Sequence, residues 1–357
     1  MAVVRRRVNL VPEPAFADRD DGLPMRRRAV FAGLLAAVAA NLAFAQGSSA
    51  RQRRIAVVTT VLPAYLIKES GGDSASRLLF GELRRLGYVE GPNLLVERHS
   101  AEGHPERLND LARMVVASNP DLIVAAGSPM AHAFAAATSS IPIVATFADP
   151  VKSGLVPSLA RPGSNITGVS VDAGIEIVGK RLQLLKEAVP SATKVAYVEV
   201  SGVLGSGFAP VLNEASQRLG VSLIVIPLPE SSPPAYQRAF AEMVEQRIDA
   251  MLVSDGGEPL AFRHLIAQLA EKNRLPTMCA ALDYVEVGGL MAYAANPTDV
   301  FKRVAENVHQ IFSGTPPSLI PIIQPTKFEF LINLRTAQAL DLTLSPTLLA
   351  AADGVIE

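Results

Sequence analysis

Two polar side chains follow two short apolar runs within residues 121–156. Ser128 comes just after the run Leu122–Ala126, and Asp149 comes just after the run at 141–147. Apolar runs rich in β-branched residues and bounded by turn residues predict strands buried on both faces, and the Ala-rich segment between them has the length of a helix. Both strands of such a βαβ unit end at the same edge of a parallel sheet, where open α/β sheets bind ligands. We therefore expect Ser128 and Asp149 to lie side by side and to offer a hydroxyl and a carboxylate to a small polar ligand.

The residues around Ser128 leave three interpretations of this hydroxyl open. Ser128 lies between a predicted strand and a predicted helix, as a catalytic serine does at a nucleophile elbow, but the pattern G-x-S-x-G is not met and Pro129 follows directly. Ser128 is alternatively an ordinary helix N-cap with Pro129 at the first helical position. In the third interpretation the cap also binds a ligand, because the free N–H groups of a helix N-terminus attract a carboxylate.

Three other candidates, Asp149 among them, each have a structural and a functional interpretation. Asp149 precedes Pro150 and is held extended, so that it either caps a turn or pairs with a ligand ammonium group. Asp255 follows a predicted strand and has the same two interpretations. Tyr293 also ends a predicted strand, and its ring packs either against a ligand or in the core.

Motifs for other chemistry are missing from the sequence. Phosphate-binding, dinucleotide-binding and zinc-protease motifs are absent, so we assign no catalytic residue and predict no enzyme. The five histidines show no metal-binding spacing, and Cys279 is the only cysteine, so no metal site, cofactor or internal disulfide is predicted. Lys and Arg together number 33 against 34 for Asp and Glu, which gives no electrostatic case for a nucleic-acid partner.

The N-terminal region has the pattern of an export signal. A basic start at 25–28 precedes an apolar segment at 29–42 that is shorter than the roughly 20 residues of a membrane span. The triplet 43–45 fits the A-x-A cleavage rule, which predicts a signal peptide at 25–45, cleavage after Ala45 and a periplasmic protein. Residues 1–24 lack periodicity and are a candidate non-native extension, with Met25 as the start. The general secretory and twin-arginine export routes both remain open.

Predicted strands and helices alternate throughout the rest of the chain, which indicates an α/β class with parallel sheets. The pattern breaks near residue 170 and then restarts, so we expect an N-terminal lobe at 54–170 and a C-terminal lobe at 171–288. The tail has too few elements for a third domain. We expect residues 289–320 to complete the first lobe and residues 321–357 to complete the second. The chain then crosses between the lobes more than once and forms a hinge around a cleft.

Short motifs along nearly the whole chain resemble those of one family. They are LGYVEG at 86–91, IPIV at 141–144, ADPV at 148–151, NITGVS at 165–170, GGLM at 288–291 and QPTKFE at 324–329. With its basic leader ending in Ala45, the chain resembles the ABC transporter substrate-binding proteins, a family that includes tryptophan- and tyrosine-type amino-acid binders.

The resemblance implies a two-lobed type I periplasmic-binding-protein fold that closes on a small-molecule ligand. The chain would be a monomeric receptor that delivers an amino acid or related carboxylate to an ABC permease. An exported sensor for a membrane signalling protein and an exported α/β hydrolase are the alternatives. The loop 201–207 and the turn after Asp255 depart from the family pattern. The identity of the ligand can therefore be inferred from the family less directly than the fold can. The residues implied for the pocket are Thr60, Ser128, Asp149, Ser170, Asp255 and Tyr293.

Overall fold

The computed structural model of the protein describes residues 52–171, 176–200, 208–254 and 257–357. The predicted signal peptide at 25–45, the extension at 1–24 and the candidate Asp255 lie outside these residues, as does the loop 201–207. Within the described ranges no helix combines the length and the apolar character that crossing a membrane requires.

Five parallel strands form the first sheet. They are β1 (Arg53–Thr59), β2 (Leu94–Ser100), β3 (Leu122–Ala126), β4 (Ile143–Phe147) and β5 (Ile166–Ser170). Their order is β2-β1-β3-β4-β5, and every neighbouring pair is parallel. The apolar runs are buried on both faces because helices cover the sheet from both sides. Three of these helices are α1 (Ser74–Arg85), α2 (Leu108–Ala117) and α3 (Ser128–Ala137).

Seven strands form the second sheet. They are β6 (Lys194–Val200), β7 (Ser222–Leu228), β8 (Ala250–Val253), β9 (Thr277–Cys279), β10 (Met291–Ala295), β11 (Phe328–Asn333) and β12 (Gly354–Ile356). Their order is β12-β11-β10-β9-β8-β6-β7, and only the β10–β11 pair is antiparallel among the described strands. The prediction of two mostly parallel sheets flanked by helices is confirmed.

Helices cover both faces of the second sheet and supply its two apolar clusters. In chain order the remaining helices are α4 (Glu176–Ala188), α5 (Phe208–Leu219), α6 (Pro233–Glu245), α7 (Gly257–Ala261), α8 (Arg263–Lys272), α9 (Asp283–Glu286), α10 (Pro297–Phe312), α11 (Leu334–Ala339) and α12 (Pro346–Ala350). Helices α4 and α5 pack on one face, and α6, α8 and α9 pack on the other.

One part of the tail lies in a different lobe from the one the sequence predicts. The strand at the start of 289–320 was expected in the N-terminal lobe, but β10 pairs with β9 and β11 in the second sheet. Its Ala292 and Ala294 fit the core beneath α9, where larger side chains already fill the space. The helix that follows, α10, does pack on the first sheet, where its Val304 and Val308 are fully buried.

The chain crosses between the sheets after β5, after β10 and before β11. The segment ahead of β11 runs parallel to β5, and the Thr167 hydroxyl donates to the Ile320 carbonyl at 2.8 Å. All three crossovers leave or enter at the carboxyl edge of a sheet. The second and third lie together, because the Asn296 N–H donates to the Lys327 carbonyl at 3.1 Å and the Asn296 amide donates to Glu329. The carboxyl edges of both sheets therefore adjoin one multi-stranded connection.

Candidate functional site

Two serine hydroxyls hold the backbone of one exposed residue, Ala148, at the carboxyl edge of the first sheet. The Ser128 hydroxyl oxygen, after β3, accepts a hydrogen bond from the Ala148 N–H at 3.0 Å. The Ser170 hydroxyl, at the end of β5, donates to the Ala148 carbonyl at 2.5 Å, and Ser170 is only 1% exposed. The ends of β3, β4 and β5 are thereby fixed relative to one another.

Ser128 is the first residue of α3 rather than its N-cap. The capping position is occupied by Gly127, whose φ of +95° suits glycine. The Ser128 hydroxyl oxygen turns to the neighbouring loop at Ala148, so the expectation of an ordinary N-cap is wrong. Because Pro129 has no N–H, the first turn presents the Ser128 and Met130 amides, which have no acceptor inside the helix. The start of α3 therefore offers two backbone N–H donors next to the Ser128 hydroxyl.

Asp149 closes the turn that follows β4. Its Oδ1 accepts hydrogen bonds from the Val151 N–H at 3.0 Å and from the Lys152 N–H at 2.9 Å. The side chain is half-buried. The turn-capping interpretation therefore describes what Asp149 does in this structure. A carboxylate has about four lone-pair sites, so two backbone bonds leave it able to accept another donor.

Thr60 lies beside the start of α3. It directly follows β1, and a Cβ placed at Gly127 would lie 3.7 Å from the Thr60 Cγ2 atom, an ordinary contact distance. Its carbonyl accepts from the Gly103 N–H at 2.9 Å, which fixes the loop after β2. The structure thus brings Thr60, Ser128, Asp149 and Ser170 to one edge of the first sheet, as the sequence predicts for that lobe.

The second lobe contributes a buried cation that the sequence did not single out. Arg181 on α4 is only 4% exposed, and its Nε donates to the Tyr293 carbonyl at 2.7 Å. Its charge also reaches β9: burial raises the pKa of the Cys279 thiol to about 12, while Thr277 and Arg181 act to lower it. Tyr293 is the middle residue of β10, so the expectation that it ends a strand is wrong. The Tyr293 ring is partly buried and lies 5.8 Å from the Phe328 ring, centre to centre, so one part of the ring packs against the core and contact of the rest with a ligand stays a prediction.

The Ser254 hydroxyl is buried without a hydrogen-bond partner among the described residues. Ser254 follows β8 and is 3% exposed. Side chains alternate along β8, and Leu252 belongs to the cluster under α4, so Ser254 lies on the same face as Arg181 and Tyr293. The residue predicted from the sequence to bind ligand after β8 is the neighbouring Asp255, which lies outside the described residues.

Metal binding finds no support in the described ranges, where no group of three His, Cys, Asp or Glu side chains could hold an ion. The candidate groups of the two lobes are hydroxyls, backbone amides, one carboxylate and one buried guanidinium. These groups can bind a small charged molecule by hydrogen bonds.

Comparison with known proteins identifies the family. The model of the family described as ABC transporter substrate binding protein matches residues 65–356. The chain belongs to this family. Because the family consists of ligand-binding proteins, the prediction that this substrate-binding protein is not an enzyme is confirmed, and the hydrolase interpretation of Ser128 is wrong.

Individual relatives agree with this assignment. A tyrosine-binding protein of Clostridioides difficile (strain R20291) is 25% identical over 281 residues, which are 78% of this substrate-binding protein and 80% of that one. The crystal structure of a conserved domain protein from Vibrio cholerae O1 biovar eltor matches 85% of this chain and 100% of its own, with a TM-score of 0.75 and 25% identity. The structure of an ABC domain in complex with L-Trp from Streptococcus pneumonia has the same fold, with a TM-score of 0.72, 21% identity and coverage of 85% and 100%.

Proposed function

We propose that this substrate-binding protein receives an amino acid or a related small carboxylate between its lobes and delivers it to an ABC importer. The observation that carries the proposal is the relationship, over 281 residues, to a protein named for binding tyrosine. The polar groups at the carboxyl edges of both sheets supply chemistry that suits such a ligand.

The ligand carboxylate is proposed to bind at the start of α3. The Ser128 oxygen accepts from the Ala148 N–H, so its own proton remains available for donation to a carboxylate. The amides of the first turn and the positive end of the helix dipole add to this attraction. Ser170 acts as a positioning residue in this scheme, because its proton is committed to the Ala148 carbonyl.

The ligand ammonium group is proposed to pair with Asp149, which retains acceptor capacity beyond the turn that it caps. Asp255 is the corresponding candidate in the second lobe. A charge-assisted hydrogen bond contributes about 1.5–3 kcal/mol, so a few of them, together with the apolar surface buried when the cleft closes, supply the roughly 8 kcal/mol of micromolar binding.

The second lobe is proposed to complete the site with Ser254 and Tyr293, in the field of Arg181. A buried hydroxyl without a partner costs about 1–3 kcal/mol, and a ligand atom that satisfies it recovers that cost. Because groups from both lobes then touch the ligand, binding favours the closed arrangement over the open one.

Location and partners follow from the same proposal. The segment 25–45 would direct export and be removed after Ala45, leaving a monomeric periplasmic receptor that docks on a permease. Amino-terminal sequencing of the protein from the periplasmic fraction should begin at Gln46. A start at another residue, or retention of the protein in the cytoplasm, would contradict this part of the proposal.

A thermal-shift screen of residues 46–357, refolded to remove carried ligand, tests the ligand class. The library contains the twenty amino acids, small carboxylates, purines and sugars. A ligand that binds only the folded state stabilises it by about 2.7 kcal/mol at a hundredfold excess over its dissociation constant. We expect the largest increases in unfolding temperature from aromatic amino acids, and no increase from their amides, which lack the carboxylate.

A sugar or purine response without an amino-acid response would overturn the proposed ligand class. An equal increase in unfolding temperature with an amino acid and with its amide would contradict the proposed carboxylate-binding site at the start of α3. Isothermal titration of the best compound then gives the affinity with which the variants below are compared.

A further inference from the structure

A hydrogen bond between the side chains of Ser74 and Asp283 joins the two lobes outside the three crossovers. Ser74 opens α1 on the first sheet, and Asp283 opens α9 on the second. The Ser74 hydroxyl donates a hydrogen bond to Oδ1 of Asp283, and both side chains are partly buried. The two residues are 209 positions apart in the chain, so the contact exists only because the lobes meet.

Both ends of this contact are anchored in their own lobes. Helix α1 buries Leu79 and Leu83 in the core of the first sheet. Helix α9 buries Tyr284 and Val285 in the core of the second sheet. The carboxylate and the hydroxyl therefore move with their lobes as rigid parts, and a rotation of one lobe away from the other separates them.

The start of α1 leaves the hydroxyl free to reach across the cleft. The N-cap Asp73 accepts from the Ala75 and Ser76 N–H groups, each at 3.2 Å, and so satisfies the first turn without Ser74. A second carboxylate placed near this helix start is favoured by the helix dipole. Asp283 therefore meets both a hydroxyl donor and the positive end of α1.

We propose that Ser74 and Asp283 form an interlobe latch, which populates the closed arrangement before ligand binds and thereby raises ligand affinity without touching the ligand. The inference rests on the proposed function, since it assumes that closure and binding are coupled. The latch adds to the closed state a charge-assisted bond that the open state lacks. Losing this bond should weaken ligand binding about tenfold. Without it the open form is favoured, and part of the binding free energy is then used to close the lobes.

Pulsed electron-spin distance measurements on the ligand-free protein test the latch directly. Spin labels are placed through Met114→Cys on α2 and Val244→Cys on α6, at residues that are 53% and 55% exposed. The native Cys279 is buried and does not compete for label. Ser74→Ala and Asp283→Ala should each shift the distance distribution toward the open form, and the double variant should shift it no further than either single one.

Glu286→Ala is the matched control, because it removes an exposed carboxylate from the same short helix and should leave the distances unchanged. Coinciding distributions for the wild type and Ser74→Ala would overturn the latch. Additive shifts of the distance distribution in the double variant would also overturn it. So would a lower unfolding temperature without a change in distance, which would show that Asp283 only stabilises α9. Because no ligand is present, these outcomes decide on the latch even if amino acids fail to bind.

Discussion

At Ser254 the second lobe keeps a hydroxyl in its interior without a hydrogen-bond partner among the described residues. Replacing Ser254 with Ala removes the unsatisfied group, so the ligand-free protein should be as stable as the wild type or more stable. If the hydroxyl contacts ligand, affinity should fall about tenfold, corresponding to about 1.4 kcal/mol. Chemical denaturation and titration calorimetry measure the two effects separately.

Ser216→Ala is the matched control in the same lobe. Ser216 is also buried, but its hydroxyl donates to the Asn213 carbonyl at 2.8 Å. This substitution should lower stability by about 1 kcal/mol and leave affinity unchanged. If Ser254→Ala behaves like Ser216→Ala, Ser254 is a structural residue.

Asp149 can be tested by separating its charge from its turn-capping oxygen. In Asp149→Asn an amide oxygen can still accept from the Val151 and Lys152 N–H groups, so stability should change little. Loss of the negative charge should weaken binding of a ligand with an ammonium group about tenfold or more. Asp149→Ala should lose about 1 kcal/mol of stability as well. Equal affinity in all three proteins, measured by calorimetry, would exclude Asp149 from the pocket.

Chain position predicts which residues reach the carboxyl edge of the first sheet, but not what their side chains bind. Thr60, Ser128 and Ser170 come together there because parallel strands must end on one side. That Ser128 bonds to Ala148 depends on a contact 20 residues away. Arg181 was overlooked because a charged residue on an amphipathic helix usually faces solvent. Ser254 was overlooked because a serine at a strand end has the same sequence context whether or not it is satisfied.

At the scale of elements, the pairing of β4 with β5 depends on Gly168. A Cβ at this position would lie 1.8 Å from the Ala145 carbonyl oxygen, and φ is +151°. Gly168→Ala should therefore force the strands apart, displace Ser170 and destabilise the protein by on the order of 3 kcal/mol or more. A thermal unfolding experiment measures the loss.

Gly179→Ala on α4 is the control for the Gly168 substitution. Its added methyl would lie 3.6 Å from the Ala215 Cβ atom, an ordinary contact. Because alanine is the better helix former, this variant should be as stable as the wild type or up to about 1 kcal/mol more stable. Equal unfolding temperatures for the two variants would show that β4 and β5 adapt to a side chain.

The starts of β6 and β8 are joined by Asp249. Burial would raise the pKa of its carboxyl, but hydrogen bonds from the Lys194 and Thr193 N–H groups and from the Thr193 hydroxyl outweigh burial and lower the pKa. A carboxyl whose folded-state pKa lies below the unfolded value of about 3.9 stabilises the fold above that pH. The contribution is lost as the pH falls through the folded-state pKa.

Asp249→Asn should therefore be less stable than the wild type at pH 7, and the two should converge as the pH falls below about 4. Urea unfolding at a series of pH values measures this. Asp110→Asn is the control, because Asp110 pairs with Arg113 at an exposed site on α2 where ion pairs contribute little. A stability difference that persists unchanged in acid would contradict the assignment to the Asp249 charge.

Strands in the interior of each sheet were predictable, because their apolar runs can be buried only between two layers of helices. The sheet to which β10 belongs was not predictable. Its Ala-Tyr-Ala pattern suits a strand of either sheet, and in the structure β10 lies between β9 and β11 in the second sheet. The sheet that this strand joins is decided by its tertiary pairing rather than by its local strand preference.

At the scale of the whole molecule, the two lobes share three crossovers and a side-chain contact between Ser74 and Asp283. Asn296 ties the second and third crossovers together: its N–H donates to the Lys327 carbonyl, its side-chain amide donates to Glu329, and its side-chain oxygen caps α10 by accepting from the Asp299 N–H at 2.9 Å. The family, the paired α/β lobes and the carboxyl-edge location of candidate residues followed from the sequence. The interlobe contact did not, since no local pattern relates residues 209 positions apart.

The placement of α10 on the first sheet has a consequence for the order in which the chain folds. Val300, Val304 and Val308 fill the core between β1, β4 and α1, and residues 320–323 cover β5. The N-terminal lobe therefore lacks part of its core until nearly the whole chain has left the ribosome. The first lobe can therefore complete its fold only after most of the second lobe has been synthesised.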